Sequence, residues 1–290
     1  MFGNRFERSW LVAKQSFSVL RNNPSLCIFP ILSGVAAIFV SIPFVVVLAM
    51  TDFKHSDQQH VFGVAHYATT AIMYFCNYFT IVFFNAGLVA CANENLQGRP
   101  ATVQFGMRAA LARLPQILGW ALLASTVGMV LRFIGERTGV VGSIVTSFIG
   151  LAWNIAVFFV VPCLVLDLEN PFAAVKKSTV MIKQTWGERI ILGIGVGSAL
   201  GILFLIAMVP IFAAFFFAVS EIFSLAIVFG VIGLASILAV CIISSAITTI
   251  YQTALYIYCQ SGTTPYAFQA SNFQDAFQAK TSRGIFGQKF

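Results

Sequence analysis

Phe2–Leu32 reads FGNRFERSWLVAKQSFSVLRNNPSLCIFPIL, and this stretch decides the fold. Its first part places Phe2, Phe6, Trp10, Ala13, Phe17 and Leu20 at three- and four-residue steps, on one face of a helix. Arg5, Arg8, Lys14 and Arg21 mostly lie off that face. Asn22-Asn23-Pro24 stops the helix, and an apolar run begins near Leu26. The phrase is therefore a basic amphipathic helix that runs into a membrane-spanning one.

Composition agrees with that reading. The 290 residues are 59% hydrophobic and only 9% charged. Mean hydropathy is +0.88. A soluble domain carries roughly 25% charged residues, so lipid must be the main solvent here. The 30 phenylalanines fit, since Phe needs no hydrogen-bond partner in hydrocarbon. The net charge of +7 would suggest nucleic acid in a soluble protein. Here Lys and Arg cluster at the ends of apolar spans, which argues against a nucleic-acid partner. The six cysteines lie in or beside apolar spans without metal-site spacing, and read as reduced apolar packers. The first apolar run is expected to stay as an uncleaved anchor.

A span needs about 20 mainly apolar residues. Six stretches qualify: Leu26–Met50, Thr69–Cys91, Leu114–Ile134, Val140–Leu166, Ile190–Phe217 and Phe223–Ile250. Short links make hairpins of the third and fourth, around Gly135–Gly139, and of the fifth and sixth, at Val219-Ser220-Glu221. Pro162 and Pro210 are expected to kink or end their spans. Of the 17 Lys and Arg residues, all but Lys54, Arg132 and Arg137 fall on one side. By the positive-inside rule both termini are cytoplasmic.

The cytoplasmic links carry further short helices. Asn170 reads as an N-cap and Pro171 as a first-turn proline. Phe172, Val175, Thr179, Ile182 and Trp186 then form a stripe, with Lys176, Lys177 and Lys183 outside it. Gly98-Arg99-Pro100 opens a weaker segment through Val103, Met107 and Ala110. Lys14, Ser16, Leu20 and Arg21 align without a gap on Lys176, Ser178, Ile182 and Lys183. The expected fold is all-α: a polytopic bundle of six transmembrane helices plus cytoplasmic interfacial amphipathic helices. Residues 1–260 form one membrane domain of three units, each an amphipathic helix and two spans. Residues 261–290 form a cytoplasmic tail.

Ser9, Trp10, Lys14, Ser16, Val19, Leu20 and Arg21, followed by Pro24, Leu26, Phe29, Pro30, Leu32, Ser33 and Gly34, carry a resemblance. This opening phrase resembles a family of bacterial six-span membrane proteins of unknown function. The layout is also similar to the membrane domain attached to some glycerophosphoryl diester phosphodiesterases, without the phosphodiesterase domain. The resemblance implies a bacterial inner-membrane location and no functional residues.

Asn77, Asn85, Asn154 and Gln252 lie on polar faces of the second, fourth and sixth spans. Such residues line a path or bond across helices. Trp10, Lys14, Arg21, Lys176, Lys177, Lys183 and Trp186 are candidate interfacial lipid contacts, suited to anionic headgroups. Gly193, Gly197 and Gly201 form a small-residue face for helix packing, within the bundle or between copies. His55, His60 and His66 share an outer loop but match no tight metal motif. No HExxH, GxSxG, P-loop or dinucleotide fingerprint is present, so no enzyme activity and no cofactor are expected. The favoured function is a non-catalytic membrane-organising, lipid-sensing or accessory component. The alternative is a solute or lipid transporter using spans two, four and six. A partner beyond the bilayer, a second copy or another membrane protein, is left open.

Overall fold

The computed structural model describes residues 14–54, 64–185, 189–262 and 265–266, and every regular element among them is helical. Residues 14–22 form α1, and a 3-10 turn, Pro24–Cys27, leads into α2, Ile28–Lys54. There follow α3 (Val64–Leu96), α4 (Val103–Ala112), α5 (Leu114–Arg137), α6 (Gly139–Ala156), α7 (Val160–Leu166), α8 (Pro171–Thr185), α9 (Arg189–Val219) and α10 (Phe223–Ser261). Six stretches are long and apolar enough to cross a membrane, with α6 and α7 forming one broken span. A short helix followed by two spans thus occurs three times among the described residues.

Local chemistry sets the boundaries. Asn23 Nδ2 donates to the Val19 carbonyl at 3.1 Å and finishes α1, and Pro24 prevents its continuation. Thr102 Oγ1 accepts from the Phe105 N–H at 3.2 Å to open α4. Asn170 Oδ1 does the same for Ala173 at 2.9 Å, with Pro171 in the first turn of α8, as its sequence predicts. Gly139 takes φ +64° in the tight turn between α5 and α6, and Gly262 takes φ +69° to end α10.

Burial is concentrated at one end. Buried residues of α3 run from Thr80 to Leu96, those of α5 from Ile117 to Ser125, and nearly all of those of α10 from Ala246 to Tyr256. Phe29, Leu20, Ala110, Cys163 and Met181 complete the same apolar core. In the first span 0% of the most apolar window is buried, and in the sixth 6%. Ile38, Phe39, Phe212 and Phe215 are exposed, a surface that lipid covers. With 33 and 39 residues, α3 and α10 extend ~50 and ~58 Å at 1.5 Å per residue, against ~30 Å of hydrocarbon. At the basic end α4 packs along α3, and α8 packs against α5, α6 and α7.

The short helices use a face offset from the expected stripes. Phe17 and Phe172 are exposed, whereas Ser16, Val19 and Leu20 on α1 and Ala174, Ser178, Met181 and Ile182 on α8 are buried. The alignment of α1 with α8 holds in burial, residue for residue at its key points. Ser16 and Ser178 are fully buried, and Lys14, Arg21, Lys176 and Lys183 are exposed. In α4, Gly106 and Ala110 take the places of the buried serine and of the apolar residue one turn on.

The small-residue face of the fifth span is open within one chain. A Cβ at Gly197 or Gly201 would meet nothing within 4 Å among the described residues, and both positions are exposed, so that part of the stripe packs against no described helix. The surroundings of Gly193 lie outside the described residues. Close approach occurs instead where α4 crosses α3. A Cβ on Gly106 would stand 2.6 Å from the Gly87 carbonyl oxygen, 2.6 Å from Cys91 Sγ and 2.5 Å from the Phe29 ring. The prolines divide as well. The chain breaks between α6 and α7, three residues before Pro162, but α9 runs on through Pro210. There Ser236 of α10 donates to the Ala207 carbonyl at 3.0 Å, one turn before the proline.

Candidate functional site

The break in the fourth span frees backbone groups that hydrocarbon would leave unpaired. Pro162 has no N–H, so the Phe158 carbonyl lacks its helical donor. The Gln252 side chain on α10 donates to that carbonyl. The Phe159 N–H donates to Ser178 Oγ on α8 at 3.0 Å, fully inside the core. One irregular turn is thereby stitched to α8 and α10, and the bond from the Phe159 N–H is one that a continuous helix would not leave free.

A second polar knot follows directly. Asp167, just past α7, takes Lys177 Nζ of α8 on Oδ2 at 2.5 Å and Gln260 Nε2 of α10 on Oδ1 at 3.0 Å. The Tyr256 hydroxyl also donates to Oδ2. Burial pushes the Asp167 carboxyl up, but the three donors outweigh it and hold the group below its ordinary value. The hydrogen bond to Asp167 raises the Lys177 ammonium. Sequence reading missed Asp167. The available signal was a carboxylate adjoining a span end, with Lys177 close by on the following helix.

Beside these contacts a groove of about 770 Å³ opens between α2 and α10, with α3 as its floor. Its walls are apolar, from Ile38 on α2 to Leu238 on α10, and its polar residues are Ser33, Asn85, Ser244, Ser245, Thr248, Thr249 and Gln252. No lining residue is charged.

The four candidate polar-face residues do not converge. Asn77 Oδ1 accepts from Ser41 Oγ at 3.1 Å, tying α3 to α2, and its Nδ2 donates to the Met73 carbonyl. Asn85 Oδ1 accepts from Thr249 at 3.0 Å, tying α3 to α10. Asn154 is exposed on α6. Only Asn85 and Gln252 share the groove, so its polar members come from spans one, two and six rather than two, four and six. The physical reason is that an Asn, Ser or Thr in hydrocarbon finds the nearest helix partner first.

Among the candidate lipid contacts, Lys14, Arg21, Lys176 and Lys183 are exposed, while Lys177 is turned inward onto Asp167. Trp10 and Trp186 lie outside the described residues, as do His55 and His60. His66 stands in the first turn of α3, edge-on to Tyr67. Among the described residues no three His, Cys, Asp or Glu side chains come close enough to hold a metal ion. None of the six cysteines is joined in a disulfide.

A family model described as a family of unknown function (DUF6159) matches residues 64–266. No curated protein matches the chain. The matched region runs from the start of α3 through the end of α10, covering both polar knots and most of the groove. The opening phrase that carried the resemblance lies ahead of it. The chain belongs to this family of unknown function, DUF6159, as a protein with six helices fit to span a membrane.

Proposed function

We propose that the protein is a non-catalytic, multi-pass component of a bacterial inner membrane, with both termini in the cytoplasm, that reads or organises anionic lipid through its basic layer. The observation that carries this reading is the pattern of cation pairing at the basic end. Glu94 takes Arg99, and Asp167 takes Lys177. Lys14, Arg21, Arg108, Lys176 and Lys183 remain exposed and make no ion pair with a described residue. Helices docked by a small buried face hold these cations at one membrane surface. There each Lys or Arg near an anionic leaflet contributes about 1 kcal/mol.

The test uses the full-length protein in nanodiscs of mixed phosphatidylglycerol and phosphatidylcholine. Lipid retained on release is counted by native mass spectrometry. Anionic lipid is expected to be enriched on the protein, and the enrichment to fall as salt rises. Replacing Lys14, Arg21, Lys176 and Lys183 with Gln should remove most of it. A retained-lipid composition that matches the disc and ignores salt sinks the proposal.

A further inference from the structure

The groove between α2 and α10 gathers hydroxyls without a partner: single ones occur elsewhere, at Ser16 and Tyr251, but here four share one cleft. Thr80, Thr126, Thr146 and Ser147 each donate back to a carbonyl of their own helix. Ser33, Ser244, Ser245 and Thr248 form no side-chain hydrogen bond with any described residue, and all four line the groove. An unpaired hydroxyl at membrane depth is unfavourable, so four in one cleft point to a partner that brings acceptors.

Depth narrows the chemistry. Ser33 stands ~32 Å along α2 from Lys54, and Thr248 ~38 Å along α10 from Phe223, at 1.5 Å per residue. The hydrocarbon core is ~30 Å thick, so both fall at its cytoplasmic edge, where the ester linkages of bilayer lipids lie. From this polar patch the apolar walls run inward through Val35, Ile38, Ile242 and Leu238. The lining carries no charge, which fits neutral ester carbonyls and excludes a phosphate or carboxylate seated in the cleft itself.

We infer that the groove is a site for the glycerol-ester segment of a diacyl phospholipid. The hydroxyls of Ser33, Ser244, Ser245 and Thr248 donate to its ester carbonyls. An acyl chain lies along the α2 and α10 walls, and the headgroup stays outside at the basic layer. The inference rests on the lipid-contact reading above, yet the two fail separately. The basic layer responds to salt and headgroup charge, whereas the groove responds to ester oxygens.

The probe is a pair of phosphatidylcholines, one diacyl and one dialkyl-ether, in equal amounts in nanodiscs at high salt. Native mass spectrometry of the full-length protein should show the diacyl form retained over the ether form by about fivefold, the scale of one net hydrogen bond. Ser244→Ala combined with Thr248→Val should bring the ratio to parity with an unchanged melting temperature. Ser245→Phe, which fills the cleft, should abolish retention of both. A photoactivatable acyl chain should label Ile38 and Leu238 well above Phe212 on the outer face of α9. Parity in the unmodified protein, or a preference that survives both variants, overturns the inference. Preferential retention of dioleoylglycerol over the phospholipid overturns the phospholipid assignment.

Discussion

Gly106 is the tightest point between a short helix and a span. The Gly87 carbonyl that a Cβ would strike belongs to the α3 backbone and cannot swing aside. Gly106→Ala should cost about 1–3 kcal/mol, as overpacking does. Its thermal melt should fall by several degrees, while Gly197→Ala, facing open space, leaves the melt unchanged or slightly raised. Asp167 is the second residue with a measurable signature. Its folded-state value is depressed, so its contribution is present above the ordinary 3.8 and is lost as pH falls through the lower folded value. Lys177 is raised, so its contribution is present below the ordinary 10.5 and is lost as pH climbs through the higher folded value. Melting temperature should therefore be flat between those limits and drop at both ends. Asp167→Ala leaves the Lys177 ammonium to the more distant Glu169 carboxylate, at 4.0 Å, and strands the Tyr256 hydroxyl, and should cost about 1–3 kcal/mol. In Lys177→Met the acid-side drop should shift toward higher pH, because the carboxyl keeps its burial and loses its first donor.

At the scale of elements, the fourth span shows how far sequence carries. Pro162 announces a disturbance, and the break duly falls within one turn before it. What the sequence could not show is which side chains repair it, because Gln252 reaches Phe158 from a helix far along the chain and Ser178 reaches Phe159 from the next one, neither pairing being set by local spacing. Pro210 makes the same point in reverse. It has the same local chemistry, but α9 continues because Ser236 and the packed face of α10 support the turn. Asn170 and Pro171 marked the start of α8 correctly, yet periodicity aimed its stripe at Phe172. A short helix can bury any of several adjacent faces, and Ser178, small enough for close contact, decided the matter. This repair is testable by coupling. Gln252→Leu leaves the Phe158 carbonyl unpaired and should cost about 1–3 kcal/mol. In a Pro162→Ala background an N–H is restored at that position, so the same change should cost clearly less. Equal costs in the two backgrounds, read from melting in detergent, would remove the carbonyl from the account.

Across the whole molecule, six spans were legible because ~20 apolar residues in a row have no competing explanation. The interior was not legible, because in lipid an apolar residue is equally at ease inside or outside the bundle, so hydropathy cannot tell a packed face from a wetted one. Ile250 and Leu234 illustrate this. Both are large aliphatics on α10, yet Ile250 is fully buried and Leu234 is 59% exposed. The difference follows from where the helices meet. Their shared core is the layer at the basic end, where α3, α5, α7 and α10 meet the short helices, whereas α9 packs mainly on α10 and is largely exposed from Ile202 to Val219. Stability should therefore map by depth rather than by hydropathy. Ile250→Ala should cost about 2–5 kcal/mol through a cavity that cannot close, and Leu234→Ala no more than about 0.5 kcal/mol. Melting or denaturant curves on an alanine series along α10 would read this directly. The expected profile is shallow from Phe223 to about Ser244, where the face toward α9 carries the packing through Gly233 against Ile211 and Ser236 on the Ala207 carbonyl, and steep from Ala246 to Tyr256. A profile equally steep along the whole helix would mean that the far halves of the spans are packed against one another after all.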